Sequence, residues 1–331
     1  MRAARIHGVR DVRVDDVDEP VPAPGHRVVR ITGVGICGSD LHWFTEGGIG
    51  DAVLREPLVL GHEMAGVVED GPLAGTHVGL DPAAPCGACE PCRDALEHLC
   101  PHMAFAGHGS TDGALRERMV WPEDRLVPLP VGLDGATGAL LEPLGVAMHA
   151  VDLSHVRAGQ TVGVVGCGPI GLLTIMVLRT MGCVVHAVEP LAHRRDAAAG
   201  AGAITAGDNA APESLDACRS VFEVSGTDDG LESAGRMARL GGRVLLVGIP
   251  DGDRTSFPAS LMRRKAITMA PVRRMTLDAY RRGVALVADG RLDPAPLATH
   301  RYPLHRAAEA FDVASRREGL KIVVDVAPAP S

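Results

Sequence analysis

Lysine is nearly missing from this chain: among 331 residues only Lys265 and Lys321 occur, although Lys and Arg together number 33. Aromatic residues are also scarce, at 3%, with two Trp, two Tyr and five Phe. This usage resembles that of a GC-rich genome and points to no particular chemistry. No block of five or more basic residues exists, and 41 acids leave a net charge of −8. Nucleic acid and anionic membrane are therefore not partners that the charge would favour. The opening MRAARIHGVRDVRVDD has arginines but no apolar segment or small-residue cleavage site after them, so no secretory signal is read and a cytoplasmic protein is expected. One uncharged stretch, residues 158–178, reaches the roughly 20 residues that a membrane helix needs. It carries Gly163, Gly166, Gly168, Pro169 and Gly171 in its middle, and a strand, turn and helix explain it better.

What the chain does have is a globular composition, 46% hydrophobic and 22% charged, and a length that suits two domains. The first third is rich in Gly and Pro, with short β-like runs at Val12–Val17, Arg27–Gly33 and Met64–Glu69, which predict a β-rich domain. From about Thr161 apolar runs alternate with Ala-rich helical stretches: TVGVVG, PIGLLTIMVLRTMG, VVHAVEP, HRRDAAAGAGA. This order predicts an α/β, doubly wound parallel sheet covered by helices. Further strands are expected at Ser220–Val224 and Arg243–Gly248, with a helix between them ending at Gly241–Gly242. Helical patterns follow at LDAYRRGVALVADGR and His305–Arg316, then a terminal strand, KIVVDV, and a frayed Ala327–Ser331.

Gly166-Cys167-Gly168-Pro169-Ile170-Gly171 is a GxGxxG placed between a strand and a helix. Gly166 permits the tight turn, Gly168 admits a pyrophosphate close to the backbone, and Gly171 lets helix and strand pack. The helix N-terminus meets the phosphate charge. Glu189 follows eighteen residues after Gly171, at the end of the second strand, where an acid binds the adenosine ribose hydroxyls. It would repel a 2′-phosphate, which favours NAD. Arg194 and Arg195 leave NADP open, since an arginine stacks on adenine or grips that phosphate. Val247, at the end of RVLLVG, is counted among the cofactor contacts.

Four of the eight cysteines, Cys86, Cys89, Cys92 and Cys100, fall within fifteen positions. Four thiolates so spaced suit a closed tetrahedral structural Zn²⁺ whose binding folds the loop; an iron–sulfur set or a redox dithiol are the competing readings. Cys167, Cys183 and Cys218 lie in the predicted nucleotide domain as small core side chains. Cys37 in GICGSDLHW is followed twenty-five residues later by His62-Glu63, and Glu142 stands in LLEPLGVAMHA. Thiolate, imidazole and carboxylate can hold Zn²⁺ with one position open, the mark of a catalytic site.

CGSD, GHE, the four-cysteine lobe, EPL, GxGxxG, FEVSG and KIVV occur in an order that resembles the zinc-dependent medium-chain dehydrogenases over nearly the whole chain. Glu63 and Glu142, with LHWF, EGGIGD and PLVL, resemble the polyol branch, which includes sorbitol, xylitol and L-idonate dehydrogenases. Two departures fall where substrate contacts are expected: His108-Gly109-Ser110 replaces a Thr-Pro pair, and Trp43 replaces a common tyrosine.

The resemblance implies a GroES-like β-rich catalytic domain, residues 1–144 and 272–331 with a structural zinc lobe at 86–100, around an inserted Rossmann domain, residues 145–271, with the active site in the cleft between them. It implies hydride transfer from a secondary alcohol of a polyol or sugar acid to NAD, one catalytic and one structural zinc, and a homodimer or homotetramer. The catalytic zinc would be held by Cys37, His62 and either Glu63 or Glu142. Ser39 and His42 would carry the released proton, and Asp40 would orient the zinc ligands. Arg273, in PVRRM, matches a pocket arginine of that branch and is counted with the cofactor-side contacts; Arg274 beside it makes surface solvation the competing role. Ser39 could equally cap a helix starting at Asp40 or Leu41. His108 and His149 are read as structural. Aminocyclitol or amino-alcohol (threonine-type) oxidation is the close alternative. A nucleotide-binding protein without catalysis is the remote one.

Overall fold

The run RAARIHG near the N-terminus forms a strand, Arg2–Gly8, paired antiparallel with Asp11–Asp16 and Leu58–Val59. Alternation of small apolar and polar residues buries Ala4 and Ile6 on one side. The computed structural model of the chain describes residues 1–250, 252 and 254–327, with the side chain of 206 left aside. Most of the expected C-terminal fray, 328–331, lies outside the described residues. By contacts the chain divides into two units, Met1–Glu142 with Thr276–Ser331, and Pro143–Met275.

The first unit is built on a seven-stranded sheet among the described residues. Its spine runs Leu126–Pro128, His77–Leu80, Glu63–Val68, His26–Gly35, Lys321–Asp325, Ala298–Pro303, with Arg118–Pro122 paired to the start of His26–Gly35. The register sets Glu63 opposite Gly35, and Gly35 opposite Val323, so the ends of three strands remote in sequence meet at one point. The helix Gly38–Glu46 leaves this point at once and buries Trp43 and Phe44; Phe44 stacks at 5.3 Å on Phe311 of the helix Ala307–Ser315. The helix starts earlier than Asp40, with Cys37 as N-cap and its N–H donating to Asp40 Oδ2 at 2.9 Å; Ser39 is therefore not the cap.

At the end of His77–Leu80 the buried Asp81 turns the chain toward the cysteine lobe. Its Oδ1 accepts from Ala83 N at 3.0 Å, its backbone carbonyl accepts Trp121 Nε1 at 2.7 Å, and Arg125 stands 3.7 Å from Oδ2. Burial pushes the Asp81 carboxyl up to about 6, against the pull of the Ala83 N–H and Arg125. A folded pKa above the unfolded 3.8 gives stability that is full below pH 3.8 and is lost as pH rises through 6. At about 1.4 kcal/mol per unit the loss is roughly 3 kcal/mol. Asp81→Asn keeps the Oδ1 acceptor and leaves Arg125 its bonds to Glu97 and Asp124. The variant should melt at a higher temperature than the parent at pH 7 and at a similar one at pH 4; equal melting curves at both would remove the assignment.

The second unit is a six-stranded, all-parallel sheet among the described residues, ordered Ile204–Ala206, Val184–Val188, Thr161–Val165, Cys218–Glu223, Ala238–Leu246, Thr268–Pro271. The order reverses between Thr161–Val165 and Cys218–Glu223, which creates the crevice where such sheets bind ligands. Two of these strands, Ile204–Ala206 and Thr268–Pro271, are too short, at three and four residues, to be read from pattern. The expected helix end at Gly241–Gly242 is corrected: the helix is Asp228–Met237, and the glycines lie inside the strand Ala238–Leu246. The helix stops early because Lys265 Nζ caps its carbonyls, reaching Gly235 O, Arg236 O and Ala238 O at 2.8–2.9 Å. Cys167, Cys183 and Cys218 are buried free thiols, as small core residues would be. No helix among the described residues is long and apolar enough to cross a membrane. Residues 158–178 contain the strand Thr161–Val165, the glycine turn and the start of the helix Pro169–Thr180.

Candidate active site and cofactor turn

Gly35 is the reason the first site can form. A Cβ there would collide with the Glu63 carboxylate and the Lys321 side chain, so only glycine leaves room for that pair between neighbouring strands. Lys321 Nζ donates to Glu63 Oε1 at 2.5 Å and also contacts Oε2, with both side chains almost fully buried. Cys37, at the head of the next helix, and His62, at the end of the preceding turn, bring their ligand atoms within 4.8 Å of one another and of Glu63. His62 Nδ1 lies 3.4 Å from Asp40 Oδ1, and its Nε2 lies 3.4 Å from Ser39 Oγ. The Asp40 carboxylate stands on the Nδ1 side of the ring and Ser39 on the Nε2 side.

Buried titratable groups act on one another across this pocket. Burial alone would lower the His62 pKa, yet the Asp40 carboxylate and Cys37 outweigh it and raise it well above the ordinary imidazole range. Burial also pushes Glu142 up, to about 8, with the Glu63 carboxylate adding and His62 and Lys321 opposing. Cys37, His62 and Glu63 are a donor set of the type that holds Zn²⁺, with two ionisable ligands and a buried imidazole. Glu142, at the start of the helix Leu141–Ser154, is buried and close enough to feel these charges, but stands outside the mutually close set. Lys321 is the functional residue that the sequence reading passed over. Its signal was its rarity, one of two lysines, at the head of KIVV.

Ser39 and His42 lie three residues apart on one helix, and His42 Nδ1 pairs with the exposed Glu46 Oε1 at 2.8 Å. Trp43 and His108 meet edge to face at 5.6 Å, and Phe105 lies 5.5 Å from His62 and 6.4 Å from His108. The two positions that depart from the polyol pattern thus touch each other, and Phe105 links them to His62.

In the lobe, Cys86, Cys89, Cys92 and Cys100 converge with all sulfurs within 4.8 Å; Cys89 is 3.3 Å from Cys92 and 3.7 Å from Cys100. A tetrahedral Zn–S set at about 2.3 Å places its sulfurs about 3.8 Å apart, so the spacing fits. The backbone N–H groups of Ala88 and Cys89 pull Cys86 down to about 6, whereas burial and the neighbouring Cys89 thiol push Cys92 up to about 12.

In the second unit, Gly166 takes φ +91°, and a Cβ on it would strike the backbone at Ser225. Gly168 is the N-cap, and Pro169, Ile170 and Gly171 form the first turn of the helix. Glu189 is buried and held on both oxygens: Cys167 N donates to Oε2 at 2.7 Å and Leu191 N to Oε1 at 2.9 Å. Arg195 Nη1 is spent on the carbonyls of Glu189 and Pro190, at 2.8 and 3.0 Å, whereas the Arg194 guanidinium stands beside Gly168. Val247 directly follows the strand Ala238–Leu246, and its N–H donates to Glu223 O at 2.8 Å. Arg273 is exposed on the loop after Thr268–Pro271, in the unit that does not contain Cys37 and His62.

Residues 23–131 match the model for the alcohol dehydrogenase GroES-like domain, and residues 169–289 that for zinc-binding dehydrogenases. The chain is 35% identical over 340 residues to a protein of Arthroderma otae named probable D-xylulose reductase A, covering 96% of this chain and 95% of that one. It is 34% identical over 350 residues to sorbitol dehydrogenase 1 of Saccharomyces cerevisiae, covering 97% of each. Among solved structures, L-idonate 5-dehydrogenase of Escherichia coli superposes with a TM-score of 0.90 at 28% identity, covering 98% of each chain.

Proposed function

Since the chain belongs to the zinc-dependent medium-chain dehydrogenases, in their polyol branch, and is an alcohol dehydrogenase of that kind, we propose how its own residues carry out the oxidation. The reading rests on the buried convergence of Cys37, His62 and Glu63. These three would hold the catalytic zinc, with Glu142 behind them as a second carboxylate. Cys86, Cys89, Cys92 and Cys100 would hold a structural one. When bound, the zinc lowers the pKa of a substrate hydroxyl and the nicotinamide accepts the hydride from the carbinol carbon.

The protein's share is to bind, orient and move a proton. Asp40 stands beside the His62 ring, and Lys321 pairs with the Glu63 carboxylate and holds it in the cluster. Ser39 would relay the hydroxyl proton, releasing its own as it takes the substrate's, and the cofactor ribose and His42, on the same helix face, would pass it toward Glu46 and water. Phe105 and His108 would face the substrate, whereas Trp43, 1% exposed, is a core residue that backs His108 and makes no substrate contact of its own.

Glu189 supports NAD⁺ over NADP⁺. Both oxygens are anchored by backbone N–H groups, so the carboxylate has no free rotamer to make room for a 2′-phosphate. Glu189→Ala should therefore raise kcat/KM for NADP⁺ relative to NAD⁺ by about tenfold or more, about 1.4 kcal/mol; an unchanged ratio would show that Glu189 does not set the choice.

The direct test is the initial rate of reduced-nicotinamide formation with NAD⁺ and with NADP⁺ over sugar alcohols, sugar acids, aminocyclitols and amino alcohols. Turnover of polyols or sugar acids with NAD⁺ is expected. Turnover of aminocyclitols alone would keep the chemistry and move the substrate class. No turnover by a protein shown to carry zinc and cofactor would overturn the reading.

A further inference from the structure

The sheet order of the second unit divides a dinucleotide between its two sides. With the pyrophosphate at Gly166–Gly171 and the adenosine on the Glu189 side, the nicotinamide half must extend over the exits of Cys218–Glu223 and Ala238–Leu246. Those exits are the loops Ser225–Thr227 and Val247–Ile249. One buried residue, Glu223, 3% exposed, holds both.

Glu223 Oε1 accepts three hydrogen bonds: from Ser225 N at 2.8 Å, Ser225 Oγ at 2.5 Å and Gly226 N at 3.0 Å. Its backbone carbonyl accepts Val247 N at 2.8 Å and Gly248 N at 3.0 Å. The two loops then lie backbone on backbone: a Cβ on Gly226 would strike Ile249 O, and one on Gly248 would strike Gly226 N. Because the Ser225 hydroxyl donates to the carboxylate, the Thr227 hydroxyl must donate to Ser225 Oγ, 2.9 Å away. Thr227 Oγ1 in turn accepts Gly230 N at 3.0 Å, in the first turn of the helix Asp228–Met237. All bonds in this chain point one way, from a helix N-terminus to Glu223, and chains so aligned reinforce one another.

We propose that Glu223 is a positioning residue for the nicotinamide half of the cofactor, fixing the two exit loops as one rim beside the glycine turn. The proposal rests on the dinucleotide reading given above. It assigns Glu223 no contact with the cofactor. Loss of the latch should therefore affect the nicotinamide end and spare the adenosine and pyrophosphate.

The experiment titrates the full-length protein with NADH and, separately, with ADP-ribose, which lacks the nicotinamide. The parent should bind both, NADH more tightly. Glu223→Ala should weaken NADH at least fivefold while ADP-ribose stays within about twofold of the parent. Glu223→Gln, which keeps an accepting Oε1, should recover most of the NADH affinity. Ser225→Ala removes the hydroxyl link between Thr227 and Glu223 at an exposed position and should give the same split, about threefold; it carries the test if Glu223→Ala fails to fold. Equal weakening of both ligands, or no weakening of either, overturns the proposal. A parent that binds neither NADH nor ADP-ribose overturns the dinucleotide reading itself, and this proposal with it.

Discussion

Cys37→Ser is expected to lower kcat on the preferred secondary alcohol by about a thousandfold or more. Lewis-acid stabilisation of the developing oxyanion contributes several kcal/mol, and about 4 kcal/mol corresponds to that factor. Serine preserves the N-cap geometry, because the Cys37 backbone N–H to Asp40 bond remains and a serine Oγ accepts the Asp40 backbone N–H in place of sulfur. The fold should therefore persist, with an unchanged far-ultraviolet spectrum, while bound zinc falls by one per chain. Retention of that zinc with full activity would take Cys37 out of the ligand set. Inactivity with the zinc retained would point to damage elsewhere.

The second large effect concerns the lobe. Structural zinc in small domains contributes on the order of 10–16 kcal/mol at neutral pH, and residues 86–100 have little else to hold them. The only regular elements there are Glu90–Arg93 and Glu97–Leu99. Cys100→Ser should drop the metal content by one ion and open the lobe, so that trypsin cuts after the exposed Arg93 at least tenfold faster than in the parent. Zinc analysis and limited proteolysis read this out together. A lobe that loses its zinc yet resists trypsin would mean that the packing of Cys100 and His98, both buried, suffices without metal.

The two metal donor clusters and the glycine turn were legible in the sequence because each is local or carries its own spacing. Cys86 to Cys100 is one loop, and Gly166 to Gly171 one turn with Glu189 a fixed distance on. Runs of apolar residues broken by glycine gave the parallel sheet for the same reason. The edges of that sheet were not legible. Thr268–Pro271 has four residues, two of them capable of ending a strand, and its pairing with Ala238–Leu246 is decided by what lies beside it. The helix end at Met237 was misread because glycine is the usual stop, and here a lysine from nearly thirty residues away does that work. Lys321 escaped notice likewise: its partner Glu63 is 258 residues away, and only the strand register brings them together.

That separation has a consequence for how the protein is made. At about 5–20 residues per second, synthesis takes on the order of tens of seconds to travel from Glu63 to Lys321. For most of that interval, once Cys100 has been made, all four cysteines of the lobe are present, whereas Glu63 waits for its counter-charge while the whole of Pro143–Met275 is made. The cysteine cluster therefore has all its members long before Glu63 has its counter-charge. A nascent chain arrested before Lys321 would carry all four cysteines of the lobe and a catalytic pocket still short of one positive charge.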